Sequence, residues 1–183
     1  MDFEIEQGWI RPALYVPSPN FNARPANLPV SLLVIHNISL PPGQFGTGQV
    51  QAFFSNCLDA TAHPYFGSIS HMKVSSHCLI ERDGTLTQFV NCDERAWHAG
   101  QSCFQGVENC NDFALGIELE GTDELPYTPV QYDVLAALTR AFMKVYPAIT
   151  RERILGHSDI APGRKTDPGE AFDWNYYFQC IDC

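Results

Sequence analysis

Basic residues are scarce in this chain: 11 Lys and Arg stand against 21 Asp and Glu, a formal net charge of −10 over 183 residues. Long-range attraction to nucleic acid or to an anionic membrane surface is therefore not expected. An anionic substrate has to be held by a local basic cluster or by a metal. No apolar run approaches the ~18 residues of a transmembrane helix; Leu32-Leu33-Val34-Ile35 has the length of a strand. The first residues, Met1-Asp2-Phe3-Glu4-Ile5-Glu6, are acidic and lack the basic and apolar regions of a secretory signal, so the chain is expected to be cytoplasmic. Paired cysteine spacing is missing too. Seven cysteines at irregular intervals make a poor disulfide framework and fit a reducing compartment. Cys180-Ile181-Asp182-Cys183 is formally a CxxC but lacks the second pair of a zinc ribbon. There is no internal repeat, low-complexity tract or charge block. What is present, 45% hydrophobic and 12% aromatic residues, excludes wholesale disorder. The length suits one domain spanning residues 1–183, able to bury roughly 70% of its unfolded surface.

Residues 1–29 carry little periodicity and read as an ordered arm wrapped on the domain, with Trp9, Tyr15 and Phe21 as its anchors. Val30–His36 is a continuous apolar run closing on a polar pair, the pattern of a central strand covered on both faces. Pro41-Pro42-Gly43 breaks the chain, and Val50, Phe53, Phe54 and Leu58 place a short helix within Gly48–Asp59. Residues 60–76 read as a long loop. His77–Glu81 and Thr85–Val90 flank the turn signal Arg82-Asp83-Gly84 and predict a hairpin. Ala114–Glu120 alternates Leu115, Ile117 and Leu119 with Ala114, Gly116, Glu118 and Glu120. A face of two small and two acidic residues suits a strand lining a cleft. Pro129–Tyr146 is predicted helical: Thr128 caps it, Gln131 completes a capping box, Pro129 takes the first position and Pro147 ends it. Its buried stripe is Val130, Val134, Leu135, Leu138, Phe142 and Val145. Ile154–Gly156 is a final strand, followed by a loop over His157–Gly169 and a helical turn around Phe172–Phe178. These elements predict an α/β domain with one central mixed sheet flanked by helices.

Two histidines occupy strand ends. His36 follows Leu32–Ile35 and His157 follows Ile154–Gly156, each read as the first polar side chain after an apolar strand, where binding and catalytic groups tend to sit. Asp167 follows ten residues after His157. Two imidazoles and one carboxylate make an open zinc site with water in the fourth position, yet ligands so scattered could equally be satisfied histidines at the core edge. His63, His71 and His98 carry no further signal of their own. His77 opens a strand directly and is read as facing the cleft, either touching substrate or supporting the residues that do.

Several blocks resemble a known family. They are Val34-Ile35-His36-Asn37-Ile38-Ser39-Leu40-Pro41-Pro42-Gly43, Ser76-His77-Cys78-Leu79-Ile80, Arg95-Ala96-Trp97-His98-Ala99-Gly100, Asn111-Asp112-Phe113, Gly116-Ile117-Glu118-Leu119-Glu120-Gly121-Thr122-Asp123, Gly156-His157-Ser158-Asp159-Ile160-Ala161-Pro162 and Arg164-Lys165-Thr166-Asp167-Pro168-Gly169. In this order they are similar to the cytosolic 1,6-anhydro-N-acetylmuramyl-L-alanine amidases of Gram-negative bacteria. These belong to the zinc amidases related to phage lysozyme-type amidases and peptidoglycan-recognition proteins. The resemblance implies one Zn2+ on His36, His157 and Asp167, Glu118 as the catalytic acid/base and Lys165 as the cation facing the transition state. It makes Glu120 structural. Its implied reaction is hydrolysis of the lactyl–L-alanine amide of anhydro-muropeptides during peptidoglycan recycling, which lowers the muropeptide signal that induces β-lactamase. Asn37, His77, Trp97 and His98 are the candidates for substrate contact, and the protein is taken as a monomer. Ser158 stands where relatives often carry Cys, and Val107 where some carry Arg. Two competing classes are a cysteine amidase with Cys78 as nucleophile and a non-catalytic muropeptide-binding module.

Overall fold

The computed structural model describes residues 2–182. Met1 of the N-terminal reading and Cys183 of the CxxC lie outside the described residues. The strands are β1 (Glu4–Glu6), β2 (Trp9–Arg11), β3 (Leu14–Tyr15), β4 (Phe21–Asn22), β5 (Leu32–Ile38), β6 (Cys78–Ile80), β7 (Leu86–Gln88), β8 (Arg95–Ala96), β9 (Cys103–Phe104), β10 (Val107–Glu108), β11 (Ala114–Glu120) and β12 (Ile154–Gly156). The helices are α1 (Gln49–Phe54), α2 (Phe66–Ile69), α3 (Pro129–Val145), α4 (His157–Ile160) and α5 (Trp174–Asp182).

Six strands form the central sheet in the order β12-β5-β11-β6-β7-β3. The first four run parallel, β7 returns antiparallel to β6, and β3 lies parallel to β7. The expected mixed sheet is thus present. Side chains alternate across it. Leu33, Ile35, Cys78, Ile80, Leu115, Ile117, Leu119 and Ile154 point to one side, where Leu135, Leu138 and Phe142 of α3 and Tyr177 of α5 complete the main core. On the other side Leu32, Val34 and Ala114 pack with Phe113 and Ile160, while Leu79 packs with Leu40, Phe53 and Phe54. The site lies between these two smaller clusters.

The capping box of α3 is formed as its sequence dictates: Thr128 Oγ1 accepts from the Gln131 N–H (3.2 Å) and Gln131 Oε1 accepts from the Thr128 N–H (3.0 Å). Its buried face is broader than one stripe and includes Gln131 and Thr139; Val145, counted in the stripe, is 43% exposed. Both polar residues are satisfied. Gln131 donates to the carbonyls of Ile80 and Glu120, and Thr139 bonds the Tyr177 hydroxyl at 2.7 Å.

Residues 4–22 carry the strands β1 to β4, and their buried contact is not one of the expected anchors. Trp9, Tyr15 and Phe21 are 39%, 46% and 44% exposed, whereas Ile10 between them is buried and its N–H donates to Gln88 Oε1 (2.9 Å). In the β1–β2 hairpin alternate residues face out, so burying Ile10 turns Trp9 to solvent. The 60–76 loop contains the short helix α2, and the loop after β12 begins with the helical turn α4.

Candidate metal centre and cleft

Strand register builds the site. In the β5–β11 ladder His36 pairs with Glu118, and in the β5–β12 ladder Ile35 pairs with Gly156, which brings the next residue, His157, level with His36. His36 therefore lies inside its strand, which continues to Ile38 because β11 pairs with it to Glu120. Asp167 enters on the following loop, whose backbone is tied back where Ser158 N–H donates to the Asp167 carbonyl (3.0 Å). Pro168 is held in turn by Tyr127, whose hydroxyl donates to its carbonyl at 2.7 Å. Gly156 is small for a reason: a Cβ there would lie 2.8 Å from Pro168 Cδ.

His36 Nδ1 and His157 Nδ1 are 2.9 Å apart, and Asp167 Oδ2 lies 3.0 Å from each. Among the described residues these three form a group able to hold a metal ion, their ligand atoms all within 4.8 Å of one another. The proton accounting fits a cation. His157 Nε2 sits 3.0 Å from the Ala99 carbonyl, which can only accept, so Nε2 carries the proton and Nδ1 is a bare lone pair. That lone pair faces a second imidazole nitrogen and a carboxylate oxygen in a buried position. Tetrahedral zinc with ligand bonds of ~2.0 Å separates its ligands by ~3.3 Å, the scale seen here. Burial lowers the His36 pKa from 6.5 to about 4, keeping it neutral. Burial opposes ionisation of Asp167, but the two imidazoles set against its Oδ2 outweigh it and hold the carboxyl well below the usual carboxylate range. Neutral imidazoles and an ionised carboxylate are the forms that ligate metal.

Glu118 is buried, 8% exposed, and its Oε2 has no hydrogen-bond partner among the described residues. Burial first, and the Asp167 charge second, push its carboxyl well above 4.5, opposed by the Lys165 charge. A desolvated carboxyl poised to exchange a proton suits acid/base work. Glu120 has the structural place expected: it accepts from the N–H groups of Gly46 (2.6 Å) and Arg82 (3.2 Å).

These groups line a cavity of about 390 Å3 that includes His36, Asn37, Trp97, His98, Glu118, His157, Lys165 and Asp167. Its apolar wall joins Phe53 and Phe54 of the expected short helix, α1, to Tyr65, Ile69 and Met72, which carried no signal in the sequence because they come from the segment read as loop. Lys165 is exposed on the cavity rim. Asn37 lines the cavity, but its amide donates to Asp123 Oδ1 (2.8 Å) and the Pro168 carbonyl (3.1 Å), bracing the loop that carries Asp167. Trp97 also faces the cavity, its indole N–H taken by Asn22 Oδ1 at 2.7 Å.

His77 does not line this cavity, which corrects the cleft-facing reading. It is fully buried; Nδ1 accepts from the Gly116 N–H (3.0 Å), so Nε2 is the donor to the Glu94 carbonyl (3.1 Å). Cys78 is fully buried within the main core, and burial raises its thiol pKa well above 9.0. It has neither the access nor the thiolate that a nucleophile needs. Two arginines escaped sequence reasoning. Arg164 donates to the Ala99 carbonyl that orients His157 (2.6 Å). Arg24, from the arm, donates to the carbonyls of Asn111, Asp112, Cys92 and Ala114 behind the site. Each answers carbonyls distant in sequence, so neither shows in a local pattern.

Residues 26–170 match the family model of N-acetylmuramoyl-L-alanine amidase. The chain is 57% identical, over 93% of its length and 92% of the relative's, to 1,6-anhydro-N-acetylmuramyl-L-alanine amidase AmpD of Escherichia coli (strain K12). A crystal structure of a selenomethionine AmpD derivative superposes with a TM-score of 0.94 at 54% identity, covering 97% of this chain and 98% of that one. The complex of the N-acetylmuramyl-L-alanine amidase AmiD from E. coli with anhydro-N-acetylmuramic acid-L-Ala-D-γ-Glu-L-Lys superposes with a TM-score of 0.61 at 27% identity, covering 97% and 65%. With a matching model over most of its length and relatives this similar across nearly all of it, the chain belongs to the N-acetylmuramoyl-L-alanine amidase family.

Proposed function

We propose that this chain, as one amidase domain with its arm, is a zinc-dependent enzyme that hydrolyses the lactyl–L-alanine amide of 1,6-anhydro-muropeptides. The observation that carries the reading is the convergence of two Nδ1 atoms and a carboxylate oxygen at about 3 Å, beside a buried carboxyl with a partnerless oxygen. The similarity to AmpD and to AmiD bound to an anhydro-muramyl peptide supports the substrate class.

His36, His157 and Asp167 would hold the metal. Zinc, when bound, supplies Lewis-acid polarisation of the amide carbonyl and lowers the pKa of its water toward ~7. Glu118 takes the proton of the attacking water and passes it to the alanine nitrogen as the C–N bond breaks. Its burial strengthens the carboxylate as a base toward the water, and the alanine nitrogen, more basic as the C–N bond breaks, draws the proton on. Lys165 on the rim offers a positive charge to the oxygen that gains negative charge in the transition state, a contribution of about 3–4 kcal/mol for one such donor. The apolar wall and Trp97 face the saccharide. No helix among the described residues is long and apolar enough to cross a membrane, and the six described cysteines are free. A cytoplasmic monomer acting on imported muropeptides in peptidoglycan recycling, with a consequent effect on β-lactamase induction, is the reading that the similarity to AmpD supports.

The test is zinc content and turnover of an anhydro-muropeptide, measured together before and after chelation and in His157→Ala. Activity and zinc are expected to vanish together and to return in the wild type on zinc addition. Full turnover by the metal-free protein, or a fully active His157→Ala, rejects the reading.

A further inference from the structure

We propose that His98 is a positioning residue that fixes the ring orientation and tautomer of His36 for the metal; this rests on the metal-dependent reading above. His98 Nδ1 lies 2.9 Å from His36 Nε2, and the two rings meet edge to face with centroids 5.0 Å apart. When His36 presents Nδ1 to a cation, its proton must sit on Nε2. That N–H needs an acceptor, and His98 Nδ1 is the one within reach. Accepting there places the His98 proton on its own Nε2. The metal thus sets a single proton arrangement along both rings, and His98 supplies the outer partner that ligating histidines require.

The fold confines His98 on several sides. Its backbone N–H donates to Asn111 Oδ1 (3.0 Å), fixing the main chain from which the ring projects. A Cβ on Gly116 would lie 2.5 Å from ring atoms Cγ and Nδ1, so the ring occupies the space that a side chain would take. This gives a specific reason for glycine in the middle of a buried strand, where it otherwise weakens the ladder. His77 packs against the ring at 5.7 Å between centroids, and Arg24 Nη2 lies 3.1 Å from His77 Nε2. The arm residue Arg24, outside the matched segment 26–170, therefore closes the back of a row that ends at a metal ligand.

The test compares zinc affinity, by chelator competition, of wild type, His98→Leu and His98→Asn. Leucine fills the space without an acceptor; asparagine keeps an acceptor oxygen near the position of Nδ1. Loss of an outer partner typically weakens metal binding 10–100-fold, so His98→Leu should fall in that range and His98→Asn should stay within about threefold of wild type. Wild-type affinity in His98→Leu, or an equal loss in both variants, overturns the proposal. A wild type that binds no zinc removes the functional reading and this inference together, whereas wild-type binding with an indifferent His98→Leu removes only the inference. Imidazole nitrogen NMR of zinc-loaded wild type needs no variant to fold. Both His36 and His98 should carry their proton on Nε2, and a proton on His98 Nδ1 refutes the acceptor role.

Discussion

Glu118→Gln separates the cost of the buried carboxyl from its use. Glu118 is 8% exposed and Oε2 has no partner among the described residues, so ionisation is penalised chiefly by burial. The folded protein therefore keeps the Glu118 proton to higher pH than the unfolded chain, which releases it near 4.5. Between those two values the folded state binds more protons. Stability is full below 4.5 and is lost as pH rises through the folded pKa. Glutamine has the same shape and does not titrate. At about 1.4 kcal/mol per unit, the span from 4.5 to pH 7 caps the effect at roughly 3–4 kcal/mol. Because the amide brings an N–H2 that also lacks a partner, at a cost of about 1–3 kcal/mol, a net gain of about 1–2 kcal/mol is expected.

Urea unfolding of chelator-treated wild type and Glu118→Gln, at pH 7 and again below 4.5, measures this without a bound metal to shift the titration. The variant should be more stable at pH 7 and lose that advantage in acid. With zinc restored, its metal content should match wild type while kcat falls by roughly 10²–10⁴-fold. Equal stabilities at both pH values refute the burial argument, and unchanged kcat moves the acid/base role to another group, with Glu120 the next carboxylate on that strand face.

Three further outcomes follow from the same geometry. Lys165→Met, with zinc content confirmed, should lower kcat more than it raises KM, because its charge answers one that develops during reaction; a change in KM alone makes Lys165 a ground-state substrate contact. Burial holds the His36 pKa at about 4 against 6.5, so between those values the unfolded chain binds more protons and stability of the metal-free protein should fall as pH drops from 6.5 toward 4; a flat urea midpoint across this window contradicts it. Thr128→Ala removes the cap of α3 and should cost about 1 kcal/mol in urea unfolding with little effect on kcat, since the cap lies outside the cavity.

The elements with a strong local signal were readable from sequence: β5 from its apolar run, β11 from its alternation, and α3 from its cap, capping box and terminal proline. The grouping of His36, His157 and Asp167 was readable because each histidine follows an apolar run and Asp167 follows in the loop, while their role as ligands rests on the resemblance. The arm and the 60–76 segment were not readable, although the short helix before it was. Ile10 is buried and Trp9 is not because a two-residue alternation decides it, and neither residue type nor spacing shows which parity faces the sheet. The cavity wall from Tyr65 to Met72 likewise folds from a segment whose periodicity spans only short turns.

His77 shows where strand-end reasoning stops. A polar residue at the head of a strand can face a cleft or plug the sheet beneath it, and parity alone puts His77 on the same sheet side as Leu79, the residue paired with Glu118. What distinguishes the two outcomes is a neighbour on another strand: Gly116 donates its N–H to His77 and leaves room above itself for His98. His77 is thereby pushed one layer behind the ring that meets His36. The sequence contains all three histidines with no mark of their order. Their order follows from the pairing of β11 with β5 and β6, a long-range fact that becomes visible once the sheet is assembled. The side chain placed at the cleft from sequence therefore belongs to its support, and Gly116 determines which histidine reaches His36.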